Sequence, residues 1–122
     1  MDPALLHQRL ETACRTFETL ERQLADPAIA ADPERLQTIA RERARLEPLV
    51  LDHARLRKLQ QEEREASQLL REHRDDPAMA ELVELAAAEL EDLEPRIETL
   101  RQQLTVALLP RDPRDDRSVM LE

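Results

Sequence analysis

The chain has 122 residues, enough for one domain with a modest core. It carries no glycine, no tryptophan and no tyrosine, one phenylalanine (Phe17), 37% charged residues and a formal net charge of −9. That composition argues against sheet-based folds, whose turns draw on glycine, and against a stand-alone nucleic-acid binder, which needs clustered Lys and Arg with stacking aromatics. No apolar run approaches the roughly 18 residues of a membrane span, and Met1-Asp2-Pro3 lacks the basic and apolar regions of a signal peptide. Cys14 stands alone and forms no internal disulfide, so a cytoplasmic, reducing setting is expected. A chain dominated by Ala, Leu, Glu, Arg and Gln is expected to be all-α.

Asp-Pro pairs punctuate the sequence at Asp2-Pro3, Asp26-Pro27, Asp32-Pro33, Asp76-Pro77 and Asp112-Pro113. Aspartate is a favoured N-cap, and proline suits the first helical position, where its missing N–H costs nothing. Helix starts are therefore expected at Pro3, Pro33 and Pro77. The first helix spans about 3–25, with an apolar stripe of Leu6, Leu10, Ala13, Phe17, Leu20 and Leu24 and with Cys14 beside it. Asp26-Pro27 stops it, and Ala28 to Ala31 read as a short link. The second helix spans about 33–74, roughly 60 Å at the usual rise. Its stripe is Leu36, Ile39, Leu46, Leu49, Val50, His53, Leu56, Leu59, Ala66, Leu69 and Leu70. Pro48 is expected to kink it or break it locally.

Asp75-Asp76-Pro77 is a tight reversal into the third helix, about 77–108, with Pro95 as a second irregularity and a short break after Pro77 allowed for. This helix carries the cleanest period: Ala86, Leu90, Leu93, Ile97, Leu100, Leu104 and Ala107 alternate steps of four and three, a heptad seam that needs a partner. Short connections make neighbours antiparallel. The expected architecture is an antiparallel three-helix bundle extended by a long two-helix coiled-coil hairpin. The first helix should cover only the half of the hairpin near Leu36 to Leu56 and Ile97 to Leu108. Residues 1–109 are expected to form the helical domain, and residues 110–122 a turn, from Pro110, and the start of a strand at Ser118 to Leu121, leading into a further domain.

The sequence offers little catalytic chemistry. His7, His53 and His73 have no second histidine or cysteine at metal-ligand spacing, so no metal site is expected. His53 falls on a seam and reads as a packed, half-buried side chain. Cys14 reads as a small buried hydrophobe, because no base accompanies it. Acid pairs such as Glu62-Glu63, and Glu89 with Glu91 and Asp92, read as solvated faces, since paired carboxylates need a cleft to do acid–base work. Without glycine there is no phosphate-cradling loop. No catalytic, cofactor-binding or metal-binding residue is assigned.

Charge is uneven. Between Arg41 and Arg74 there are nine basic residues against seven acidic, whereas the third helix sets Arg96 and Arg101 against Glu81, Glu84, Glu89, Glu91, Asp92, Glu94 and Glu98. Opposite charges flanking the seam would fix register. An acidic outer face that meets a basic partner is the other reading, and the two are compatible.

Leu108-Leu109-Pro110-Arg111-Asp112-Pro113, the charged run to Arg117 and then Ser118 to Glu122 resemble the end of the N-terminal helical domain of bacterial class I peptide chain release factors, of the type that reads UAA and UAG. Asp75-Asp76-Pro77-Ala78-Met79 resembles the family's hairpin reversal, as does the Asp-containing link before Pro33. The UGA-reading relatives usually lack the Leu-Leu-Pro turn. The resemblance covers the whole chain. It implies translation termination, a place on the ribosome near the large-subunit stalk base, and contact with the GTPase release factor. The decoding Pro-any-Thr and the hydrolytic Gly-Gly-Gln of that family are not in this sequence: it has no glycine, and none of its eight prolines is followed two residues later by threonine. The resemblance therefore implies a docking domain, with no enzyme activity of its own, from a longer or truncated protein. The alternative is a free-standing helical adaptor that associates through its seams.

Overall fold

The structure is a computed structural model and describes residues 2–109. The turn and strand expected over 110–122 lie outside the described residues. Among the described residues every element is helical: α1 (Pro3–Leu24), α2 (Pro27–Ala30), α3 (Pro33–His73), a 3-10 turn (Pro77–Met79) and α4 (Ala80–Leu108).

The Asp-Pro pairs do most of the punctuation. Asp32 accepts from the backbone N–H of Glu34 and Arg35, Asp26 from Ala28 and Asp76 from Ala78, each with proline at the first helical position. Asp2 is the exception and makes no side-chain cap bond. The span expected as a plain link after Asp26 is a one-turn helix, too short to show any apolar period. Its Ile29 is 5% exposed and pins the turn down. No described residue has positive φ, so the helices end without the left-handed cap that glycine favours. Ala25, Ala31 and Arg74 instead close their helices in the right-handed region.

Pro48 and Pro95 sit inside α3 and α4, which run on through them. Each proline removes one helical bond, to the carbonyls of Ala44 and Glu91. All four residues are exposed, so water can take the freed acceptors. No break occurs at either proline.

The seams pack much as the period requires. One cluster joins Leu6 and Leu10 of α1, Leu56 of α3, and Leu93, Ile97, Leu100 and Leu104 of α4. A second joins Ala13 and Phe17 to Leu46, with Leu20, Leu49 and Val50 against it, and contains no α4 residue. The bundle is therefore staggered. α3 is the spine, α4 lies along its C-terminal part and α1 along its N-terminal part. Three helices overlap where Leu6 and Leu10 meet Leu56 and Ile97. Toward the hairpin reversal only α3 and α4 remain, and the seam narrows to Ala66 and Ala86, each 4% exposed. The α4 seam ends differently from the strict heptad. Ala107 is exposed and Leu108 packs on the core in its place. A straight helix at 3.6 residues per turn drifts about 20° per heptad, and a final step of four brings Leu108 back to the partner.

Candidate functional site

Two features stand out above this frame: the outer face of α4, and a polar cluster between α1 and α3.

All seven acidic residues of α4 are exposed. Glu84, Glu91 and Glu98 recur every seventh residue and form a stripe, with Glu81 and Glu94 beside it. Among the described residues no ion pair links α3 to α4. Asp92 pairs with Arg96 of its own helix at 3.1 Å, and Arg43, Arg45 and Arg55 of α3 pair with Glu42, Glu47 and Asp52 of α3 and with Glu21 of α1. Register in the hairpin is thus set by the leucine and alanine seam, and the α4 carboxylates are left facing solvent. Toward the reversal a groove of about 440 Å³ is lined by Ala66, Leu69, Leu82, Leu85 and Ala86 with Glu65 and Glu89 at its edges. Leu82 and Leu85 are 47% and 65% exposed. An acidic helix face next to exposed leucines can hold a partner that offers cations and a few apolar side chains. It repels bare phosphates.

The polar cluster was not legible as a unit in the sequence. His53 packs on its seam but is buried more deeply than the half-buried side chain expected, at 4% exposure. Its Nδ1 lies 3.3 Å from the Cys14 Sγ. The His7 ring stands edge-on to it, centroids 6.1 Å apart, and His7 Nε2 is 3.8 Å from Glu11 Oε1 one turn along α1. Burial pushes the His53 pKa down, with Arg57 and His7 adding to this and Glu11 opposing it. Burial pushes the Cys14 thiol up, helped by Glu11 and Glu18 and opposed by Arg57. His53 is therefore a neutral imidazole and Cys14 a neutral thiol at neutral pH, and Cys14 is not an activated nucleophile. His73 lies elsewhere, at the end of α3 beside Glu72. The linear trace of the cluster is His7, Glu11 and Cys14 at i, i+4 and i+7 on one face of α1, while His53 comes from a different helix.

The sequence places this all-helical hairpin in a known class. The chain belongs to the PCRF domain family, whose model matches residues 13–122. Among characterised proteins it is similar to peptide chain release factor 1 of Sorangium cellulosum, 41% identical over 114 residues, covering 93% of this chain and 29% of that protein. It is likewise similar to peptide chain release factor 1 of Anaeromyxobacter dehalogenans, 37% identical over 115 residues (94% of this chain, 30% of that protein), and to that of Leuconostoc citreum, 34% identical over all 122 residues (32% of that protein). The chain spans about a third of the length of the relatives it matches. No solved structure matches it. The resemblance first carried by the Leu-Leu-Pro turn and the Asp-Asp-Pro reversal is thus a family relationship. No helix among the described residues is long and apolar enough to cross a membrane.

Proposed function

We propose that this chain is the helical docking domain of a peptide chain release factor that acts in the cytoplasm at UAA and UAG stop codons. The observation that carries the reading is the similarity to release factor 1 over nearly the whole chain, together with a fold that offers an exposed acidic face. Stop-codon reading and peptidyl-tRNA hydrolysis belong to other parts of such a protein, because Gly-Gly-Gln and Pro-any-Thr are not in this sequence. The domain's work is to hold the factor on the ribosome, near the base of the large-subunit stalk, and to present a surface to the GTPase release factor.

The α4 stripe of Glu84, Glu91 and Glu98 is the docking face. Carboxylates there favour a basic protein surface over ribosomal RNA, since phosphates would be repelled. The exposed Leu82 and Leu85 give the contact an apolar centre beside the charged stripe. Co-sedimentation of the 122-residue chain with ribosomes and with each separated subunit tests the proposal. Binding to the large subunit that weakens with added salt is the expected result. No binding to either subunit, or binding to the small subunit alone, would overturn it.

A further inference from the structure

Two imidazoles and a carboxylate meet at the junction of α1 and α3. One ligating atom from each of His7, Glu11 and His53 lies within 4.8 Å of the others. His7 and Glu11 are one helical turn apart and point the same way from α1. His53 reaches them from α3, held by packing on all sides and by Cys14. Packing explains His53 and Cys14. It does not explain why an exposed histidine and a glutamate sit over a buried imidazole. We propose that His7, Glu11 and His53 form a binding site for a divalent transition-metal ion of the zinc type, which clamps α1 to α3.

The donor set decides the class of ion. Imidazole nitrogens with a single carboxylate suit zinc and its neighbours, whereas magnesium and calcium require more oxygen ligands. Metal–nitrogen and metal–oxygen distances near 2.0–2.2 Å put tetrahedral ligands about 3.3 Å apart. The present spread closes by rotation of His7 and Glu11, whose side chains are 65% and 36% exposed. Three protein ligands leave a fourth position to water.

Cys14 is a positioning residue in this site. With His53 Nδ1 engaged by the Cys14 sulfur, Nε2 is the nitrogen left for a metal. On binding, Nδ1 carries the proton and donates it to sulfur, and the Nε2 lone pair goes to the ion. Metal-binding histidines commonly donate their second ring N–H in this way. Arg57 is a nearby cation that opposes the ion's charge, and Glu11 and Glu18 offset it. His7 and Glu11 precede the segment that the family model matches, so the site does not follow from family membership.

The test uses the 122-residue chain freed of metal with a chelator, then titrated with zinc chloride by calorimetry and melted with and without zinc. Binding at one ion per chain is expected, with a melting temperature raised by about 10 °C at a hundredfold excess over Kd. Cobalt chloride should give the visible absorption of a tetrahedral nitrogen–oxygen site, without a sulfur charge-transfer band. His7→Ala, at an exposed position, and Glu11→Gln, at a half-buried one, should melt like the parent without metal, bind zinc at least about tenfold more weakly and lose most of the thermal shift. His53→Gln can fail through lost packing, so the His7 and Glu11 variants are the decisive ones. No thermal shift in the parent chain, or an equal shift in His7→Ala, would overturn the site and leave His53 and Cys14 as packing residues. A sulfur charge-transfer band would overturn the positioning role of Cys14.

Discussion

The guanidinium carbon of Arg43 lies 4.8 Å from the centroid of the Phe17 ring, which joins the start of α3 to the middle of α1 where α4 no longer reaches. The same side chain pairs with Glu47 at 3.0 Å and with Glu21 of α1 at 3.8 Å. A cation over an aromatic face contributes about 0.5–1 kcal/mol at exposed sites, and each exposed ion pair contributes no more than about 1 kcal/mol. Arg43→Gln should therefore destabilise by about 1 kcal/mol. In a double-mutant cycle with Phe17→Leu, a coupling of about 0.5 kcal/mol or more is expected. Additive losses in urea unfolding would mean that the stacked geometry contributes nothing.

The three-helix overlap should be the most sensitive part of the core. Leu104 is 1% exposed and touches neighbours on all sides, so Leu104→Ala should cost about 3 kcal/mol. Val106, two residues on, is 68% exposed, and Val106→Ala should stay within about 0.5 kcal/mol. Leu100→Asp would place an unpaired carboxylate in the seam and should abolish more than half of the helical circular dichroism. Similar melting temperatures for the two alanine variants would contradict the packing described.

The caps make a graded prediction. Asp32 accepts two backbone N–H bonds, the shorter at 3.2 Å, and Asp76 accepts one at 3.0 Å, and replacing either with alanine should cost about 1 kcal/mol. Asp2 accepts none from its side chain, so Asp2→Ala should cost less than either. Thermal melts of the three variants rank them. A larger loss at Asp2 than at Asp76 would mean that the hairpin reversal is not held by its cap.

Much of this fold is legible in the chain because two signals coincide. The Asp-Pro pairs mark helix starts, and the four-three spacing from Ala86 to Leu104 marks the face that must be covered. What was less legible depends on geometry in three dimensions. The helix at Pro27 is a single turn, shorter than any period. The exchange of Ala107 for Leu108 reflects accumulated helical drift. The helices continue through Pro48 and Pro95 because both prolines face solvent. Opposite charges on α3 and α4 suggested interhelical pairing, yet the α3 cations find closer partners on α3 and α1. His53 meets His7, Glu11 and Cys14 only because α1 folds back along α3.

The acidic stripe should govern docking and leave the fold alone. Reversing Glu84, Glu91 and Glu98 to lysine together should leave the helical circular dichroism intact, since none of the three is buried. Affinity for the large ribosomal subunit should fall at least about tenfold, a difference of about 1.4 kcal/mol. The parent chain's binding should weaken with salt more steeply than the variant's. Unchanged affinity in the triple variant would move the docking face away from α4.

The most direct test of the docking role is a chimera. This chain replaces the matching segment of peptide chain release factor 1 from Sorangium cellulosum, and peptide release is followed on ribosomes programmed with each stop codon. The chimera should release peptide at UAA and UAG, stay at background at UGA, and clearly outpace a truncated relative that lacks the segment. The 122-residue chain alone should release nothing. A folded chimera no faster than the truncated relative would contradict the docking role.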